Sequence, residues 1–173
     1  MTTSRITRAL TMTAAMAMLA ASEARASGHA NGAAAVTPVT RRIVVSIPDR
    51  KLAVIENDQV IRVFRVAVGA PESPSPVGTF TIVNRVTNPT YYRPGKVIAP
   101  GTTNPIGTRW IGLSEKGFGI HGTDDPASIG HARSHGCIRL RNADIEKLFD
   151  LVRSGDVVEL HPERTQEIAA FFN

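Results

Sequence analysis

Short apolar segments separated by turn residues dominate the chain from Arg42 onwards, and they restrict it to a β-rich fold. The first three segments are residues 43–47, 51–55 and 60–68, with the turn pairs Pro-Asp and Asn-Asp between them. Runs of this length that are rich in Val and Ile and bounded by turn residues are typical of strands joined in hairpins. The sequence therefore predicts two consecutive β-hairpins at the beginning of the folded domain.

The middle of the chain combines short strands with one long irregular segment. Residues 79–83 follow a Pro-rich loop and form the predicted fourth strand, whereas residues 87–107 are rich in Pro and Gly. Two further short strands flank residues 115–117, and the second of them ends at His121. Loops as long as residues 87–107 are usually functional or mobile in compact domains, so this segment is a candidate wall of a binding cleft.

One amphipathic helix is predicted near the C-terminus. Ile145, Leu148, Phe149 and Val152 repeat at the spacing of a single helical face, and Asn142 is a suitable N-cap. A final strand with the sequence DVVEL and a short terminal helix follow. The predicted architecture of residues 41–173 is mainly β with one packed helix, a β-sandwich or partly closed barrel of mixed strands.

The N-terminal 26 residues have the order of a secretory signal peptide. Arg5 and Arg8 precede the uncharged residues 9–21, and an Ala-Arg-Ala cleavage signal ends at Ala26. The apolar part is shorter than the roughly 20 residues that a membrane-spanning helix needs. We expect residues 1–26 to be a signal peptide and residues 27–40 a flexible linker, which makes this an exported protein of the periplasm or cell envelope. An uncleaved anchor or a disordered tail is the alternative.

The charge distribution argues against nucleic acid as a partner. The formal net charge is +5, the Lys and Arg residues are scattered, and only 5% of residues are aromatic. Nucleic-acid-binding proteins concentrate their basic residues in a patch or stripe. A mildly positive protein suits an anionic envelope polymer, and solubility explains the charge equally well.

Cys137 is the only cysteine of the chain, and it follows three of the five histidines closely. Exported proteins normally use cysteines in disulfide pairs, so a single cysteine is intermolecular, reactive or simply buried. A thiol attacks a carbonyl as the thiolate, and a nearby imidazole can take its proton. The candidates for this role are His121 at the end of a strand, His131 in a polar loop and His135 two residues before the cysteine.

The dipeptide Gly136-Cys137 is also suited to form an oxyanion site. Gly136 would let its own N–H and that of Cys137 converge on a developing negative charge. The competing interpretation is a zinc site made of His121, His131, His135 and Cys137, although the usual paired cysteines are absent. A core cysteine with incidental histidines is the third interpretation.

Residues 121–140 resemble the signature of the L,D-transpeptidases, the YkuD-type catalytic domain. The matching motifs are His-Gly-Thr, a spacer, and Ser-His-Gly-Cys-Ile-Arg-Leu. The segments SPVGTF (75–80) and NPIGTRWIGLS (104–114) are similar to further motifs of the same family. The resemblance covers residues 42–161, and no catalytic residue of the family pattern is missing.

The resemblance implies a role for each residue of the centre. Cys137 would be the nucleophile, and His121 would be the base that activates it and the acid that serves the leaving amine. The carbonyl of Gly122 would orient His121 in place of a carboxylate. The N–H groups of Gly136 and Cys137 would receive the oxyanion, with His135 as a further candidate.

The residues around this centre would contact the substrate. Ser134 and His135 would shape the loop and the substrate site, and Arg139 would hold the substrate or the loop. Tyr92 and Trp110 would be walls of the cleft, with ordinary core packing as the alternative for Trp110. Two neighbours in the long segment are further candidates for the wall: Tyr91 and Arg93.

The implied reaction is remodelling of peptidoglycan without a cofactor or metal. The thiolate attacks the carbonyl at the L-centre of diaminopimelate in a tetrapeptide stem, D-alanine leaves, and a thioester forms. The acceptor is the amine of another diaminopimelate, or a lysine of an envelope lipoprotein. With water as acceptor the same site would be an L,D-carboxypeptidase or amidase, and the sequence leaves this choice open.

The resemblance also implies that a carbapenem acylates the cysteine. A non-catalytic wall-binding module would lack Cys137 or His121, and both are present.

Overall fold

The computed structural model describes residues 40–173. The expected signal peptide, residues 1–26, and almost all of the expected linker, residues 27–40, lie outside the described residues. Their boundaries, and the start of the catalytic domain at residue 41, therefore stay predictions. Within residues 40–173, none of the helices is both long and apolar enough to span a membrane.

The described part contains short strands, two α-helices and a 3₁₀ turn. The helices are α1 (Asn142–Leu151) and α2 (Gln166–Ala170). The strands, in chain order, are β1 (Arg41–Ser46), β2 (Lys51–Glu56), β3 (Gln59–Arg65), β4 (Val68–Gly69), β5 (Gly78–Thr87), β6 (Tyr91–Arg93), β7 (Lys96–Ile98), β8 (Arg109–Leu113), β9 (Gly119–His121), β10 (Ala132–Ser134), β11 (Ile138–Arg139) and β12 (Val157–His161).

Eight of these strands form one mixed sheet in the order β11-β9-β8-β5-β12-β1-β2-β3. β1, β2 and β3 pair antiparallel, which confirms the two predicted hairpins. Two parallel pairs complete the sheet, β12 with β1 and β11 with β9. The mainly β fold class with one packed helix is therefore confirmed. The pairing of β11 with β9 matters most for function, because it places the segment after Cys137 beside the strand that ends at His121.

The main core lies between the sheet and α1. Ile145 and Leu148, two members of the predicted helical stripe, are fully buried, and Val152 just after the helix is buried with them. They pack with apolar side chains of the sheet such as Ile120 and Ile138. Because α1 covers the strands that carry the candidate residues, it forms a rigid support behind them.

A smaller core lies on the opposite face of β1 and β2. Ile168 and Phe172, from α2 and the residue pair after it, cover Val44, Ala53 and Ile55. These strands are thus buried on both faces, which is why their sequences are continuous apolar runs rather than alternating ones.

The long segment 87–107 is more regular than the sequence indicates. It contains the two-stranded hairpin β6–β7, in which Tyr91 pairs with Ile98 and Tyr92 with Val97. Strands of three residues with exposed side chains carry too little apolar periodicity to be recognised in a sequence.

Candidate active site

A row of three side chains crosses the sheet at one end of β9. Trp110 of β8 and Arg139 of β11 are both register partners of His121. Side chains at paired positions of neighbouring strands point to the same face of a sheet. The Trp110 and His121 rings are stacked, with 5.6 Å between centroids and 18° between planes. The indole is thus a wall of the imidazole site.

Cys137 opens into the same cavity as this row. It lies in the bend immediately before β11, two residues before Arg139. A cavity of about 780 Å³ is lined by Cys137, His121 and Arg139 together with Trp110. The cysteine is partly exposed, and its Sγ lies 3.8 Å from the carbonyl oxygen of Gly117. The structure therefore brings the predicted thiol and the histidine at the strand end into one site.

The His121 ring has a defined tautomer. Its Nδ1 lies 2.5 Å from the carbonyl oxygen of Gly122, and because a carbonyl only accepts, Nδ1 carries the proton. In the neutral ring Nε2 is then an acceptor. Burial lowers the pKa of His121 to about 4, helped by the nearby charge of Arg139, and the hydrogen bond to Gly122 opposes this shift. At neutral pH the imidazole is therefore uncharged, and its proton-free Nε2 can act as a base.

The thiol is also neutral at rest. Burial raises the pKa of Cys137, whereas a backbone hydrogen bond from Gly119 and the charge of Arg139 act in the opposite direction. A hydrogen bond that lowers a thiol pKa stabilises the thiolate, so it comes from the N–H of Gly119. The resting pair is a thiol and a neutral imidazole, and the proton moves during attack.

The turn before Cys137 is held by Ser134. Its Oγ donates to the carbonyl of Cys137 at 2.5 Å and accepts from the N–H of Gly136 at 3.0 Å. Ser134 is only 2% exposed, so it shapes the turn and does not face the cavity, contrary to the expected substrate contact. The N–H of Gly136 is engaged by this hydroxyl and is not a free oxyanion donor at rest.

Gly136 is nevertheless required by the backbone. Its φ is +103°, and a Cβ at this position would lie 2.6 Å from the ring of Phe118. A substitution here would strain the turn and push against that ring. The residue thus serves the shape of the turn that presents Cys137.

The other predicted contact residues lie at the rim of the cavity. His135 and Tyr92 both line it, and Tyr92 is 74% exposed. Tyr91 and Arg93 line the same wall, which the β6–β7 hairpin forms. His131, by contrast, is exposed and does not belong to the lining. Within residues 40–173, no three His, Cys, Asp or Glu side chains are grouped as a metal site would require.

Asn104 supports this hairpin wall, a role that the sequence alone did not indicate. The side chain is fully buried, and its Nδ2 lies within hydrogen-bond distance of three backbone carbonyls, those of Pro89, Ile98 and Ala99. Its Oδ1 accepts from the N–H of Ile106. The available signal was its place in the NPIG motif, which does not reveal these side-chain contacts.

The lowered pKa of His121 predicts a loss of stability in acid. Below about pH 6.5 the unfolded chain protonates this histidine, whereas the folded chain resists protonation down to about pH 4. The free energy of unfolding should therefore fall by roughly 3 kcal/mol across this window on account of His121. Urea denaturation of the wild type and of His121→Gln, between those two pH values, measures this contribution. The free energy of unfolding of His121→Gln should fall less steeply with decreasing pH than that of the wild type, whereas His131→Gln should follow the wild type. The same pH dependence in all three proteins would contradict the argument from burial of His121.

Comparison with known proteins agrees with this geometry. A family model described as the YkuD L,D-transpeptidase catalytic domain matches residues 40–160. The YkuD protein of Bacillus licheniformis is 39% identical over 121 residues, which cover 70% of this chain and 66% of that protein. The YkuD protein of Bacillus subtilis is 34% identical over 152 residues, which cover 84% and 85%.

A solved structure shares the fold. The L,D-transpeptidase LdtMt1 in complex with imipenem matches with a TM-score of 0.60 and 23% identity, over 71% of this chain and 59% of that one. The chain thus spans slightly less than two thirds of the B. licheniformis protein and about three fifths of the solved chain. Both contain segments outside the aligned region.

Proposed function

This chain belongs to the YkuD family of L,D-transpeptidase catalytic domains, and on that premise we propose that it is a peptidoglycan L,D-transpeptidase with Cys137 as its nucleophile. The observation that carries the proposal is the shared cavity of Cys137 and His121, in which Gly122 fixes the tautomer of the imidazole. A neutral base with Nε2 available is what a protonated thiol requires in order to attack.

The first half-reaction forms a thioester. Nε2 of His121 takes the proton from Sγ while the sulfur attacks the carbonyl at the L-centre of diaminopimelate in a tetrapeptide stem. The tetrahedral intermediate collapses, the bond to D-alanine breaks, and the imidazolium returns its proton to the leaving amine. The carbonyl of Gly122 accepts from Nδ1 throughout, so it favours the transient positive charge on the ring.

The second half-reaction transfers the acyl group. The side-chain amine of another diaminopimelate, or a lysine of an envelope lipoprotein, attacks the thioester and gives a proton to His121. The sulfur leaves and recovers that proton. The N–H of Cys137 is the proposed oxyanion donor in both halves, since Ser134 engages the N–H of Gly136 in the resting turn.

The charge of the cavity suits a substrate with carboxylates. Arg93 and Arg139 line it, and no Asp or Glu among the described residues does. In the part of the chain that the structure describes, no carboxylate pairs with Arg139, and its Nε is buried without a hydrogen-bond partner. A partly buried guanidinium with no carboxylate partner favours an anionic ligand such as the carboxylates of a stem peptide. Tyr92 and Trp110 supply apolar walls beside this charge.

The product distribution from purified tetrapeptide muropeptides tests the proposed function. We expect cross-linked dimers and free D-alanine, and neither with Cys137→Ala. Tripeptides without dimers would instead assign the L,D-carboxypeptidase activity, with water as acceptor. Intact tetrapeptides after prolonged incubation would contradict both activities.

The place of action and the inhibitor follow as parts of the same proposal. The leader-like sequence of residues 1–26 supports export to the periplasm or cell envelope, where peptidoglycan is found. The imipenem complex of LdtMt1 supports a carbapenem as a covalent inhibitor that acylates Cys137. The inhibitor proposal also agrees with a thiol that opens into a cavity rather than into the core.

A further inference from the structure

Asn142 makes an unexpected contact at the start of α1. Its position predicts an N-cap, but Arg141 occupies the cap position and makes no side-chain capping bond. The Oδ1 of Asn142 instead accepts from the N–H of Thr108, at 3.2 Å and 34 residues away in the chain. The side chain therefore connects the helix to the loop before β8.

Two glycines meet at this amide oxygen. A Cβ on Gly107 would lie 2.1 Å from Oδ1 of Asn142, and a Cβ on Gly122 would lie 2.2 Å from the same atom. A Cβ on Gly107 would also come within 2.6 Å of the Cα and carbonyl carbon of Gly122. The oxygen thus occupies the space that side chains would fill at two backbone segments in close contact. Neither glycine can be substituted without displacing it.

The Gly122 backbone is the one that orients His121. The carbonyl of His121 accepts from the N–H of Leu140, and the N–H of Gly122 donates to the carbonyl of Arg109. These bonds hold the chain up to Gly122, whereas the Gly122 carbonyl lies just beyond them. Its direction is set by the packing of Gly122 against Gly107 and Asn142, and it accepts the proton on Nδ1 of His121.

We propose that Asn142 is a positioning residue for His121. Its amide oxygen accepts a hydrogen bond from Thr108 and packs against the backbones of Gly107 and Gly122, which holds these segments together. The Gly122 carbonyl is thereby kept in place to accept from Nδ1 of His121, and Nε2 stays directed towards the cavity. The inference rests on the proposed function in one respect only, the use of His121 as the base for Cys137. Asn142 does not touch the reacting atoms and acts through one peptide group.

Alkylation of Cys137 by iodoacetamide tests the inference without peptidoglycan. In Asn142→Ala the N–H of Thr108 loses its partner and the Gly122 peptide loses its support. The alkylation rate near pH 7 should then fall roughly ten- to a hundredfold, by analogy with the loss when a group that orients a metal-ligating histidine is removed. At about pH 10.5 hydroxide ionises the thiol without help from the base, so the variant and the wild type should converge. A merely structural role would lower the folded fraction at both pH values and would not produce this pH-dependent difference.

Two matched variants separate positioning from helix stability. Asn142→Asp keeps an acceptor oxygen at the same place and should restore most of the rate near pH 7. Asp144→Ala weakens the same first turn of α1 without contacting Gly107 or Gly122, and it should leave the pH profile unchanged. Should Asn142→Ala fail to fold, Asn142→Ser retains a shorter oxygen-bearing side chain and should show the same pH-dependent loss.

Kinetics with the tetrapeptide complete the test. We expect Asn142→Ala to lower kcat roughly ten- to a hundredfold, with KM within about twofold of the wild type, because the cavity walls are unchanged. A wild-type alkylation profile and an unchanged kcat in Asn142→Ala would overturn the inference. If the wild type fails to convert tetrapeptide while Asn142→Ala still alters the alkylation profile, the proposed substrate is wrong and the positioning role stands.

Discussion

Cys137→Ala should eliminate turnover of tetrapeptide stems, with a loss of roughly 10⁴-fold or more in kcat/KM. The reaction passes through a thioester on Sγ, and alanine offers no atom that can form it. His121 and the oxyanion donors remain in this variant, but they have no nucleophile to assist. The measurement is release of D-alanine by the purified variant at high enzyme concentration.

The fold of this variant should survive. Cys137 is partly exposed, and its Sγ makes only weak polar contacts, a long one with the carbonyl of Gly117 and one with the N–H of Gly119, so its removal should cost no more than about 1 kcal/mol. The turn around it is held by Ser134 and by the main chain, which alanine leaves intact. His131→Ala, at an exposed position outside the cavity, is the matched control and should retain full activity. Turnover at the wild-type rate by a folded Cys137→Ala variant would exclude the mechanism.

His121→Gln should produce the second largest loss, roughly 10²- to 10⁴-fold in kcat/KM. Both half-reactions need a group that accepts a proton from the attacking atom and returns it to the leaving one. The raised pKa of Cys137 makes this need acute, because few thiolates exist at neutral pH without a base. Glutamine preserves the approximate volume of the ring against Trp110 but does not accept a proton.

The pH profile distinguishes loss of the base from a packing defect. In the wild type, activity should decline in acid as His121 protonates near its lowered pKa of about 4. The rate for His121→Gln should instead rise steadily with pH as hydroxide ionises Cys137. His131→Gln should match the wild type at each pH. If the rate of His121→Gln were instead reduced by the same factor at every pH, the ring of His121 would contribute only to packing and not act as a base.

Local signals in the sequence were sufficient for much of the fold. The turn pairs between the first strands predict the hairpins of β1, β2 and β3, and the spacing of Ile145 and Leu148 predicts α1. The parallel pairing of β11 with β9 was not predictable in this way, because it joins segments whose hydrogen bonds depend on the whole sheet. The β6–β7 hairpin was missed because its strands are three residues long and mostly exposed, and the hydrogen bonds of Asn104 to the carbonyls of Pro89 and Ala99 beside it leave no pattern in the sequence.

The candidate site shows the same division between local and long-range information. The motif with Cys137 and His121 identifies the two groups that the cavity brings together, and the resemblance also points to Gly122. The charge state of the pair was not predictable, because it depends on burial by residues distant in sequence. The side chain of Ser134 engages the N–H of Gly136, and that of Asn142 reaches Thr108 instead of capping its helix. Each of these polar contacts depends on the folded backbone.

Intact-protein mass spectrometry after incubation with imipenem tests the central claim most directly, namely that Cys137 is a nucleophile activated within the cavity. We expect one adduct per wild-type chain, located on Cys137 by peptide mapping, formed much more slowly by His121→Gln and not at all by Cys137→Ala. A wild-type chain without an adduct, or an adduct of equal yield in Cys137→Ala, would contradict the account.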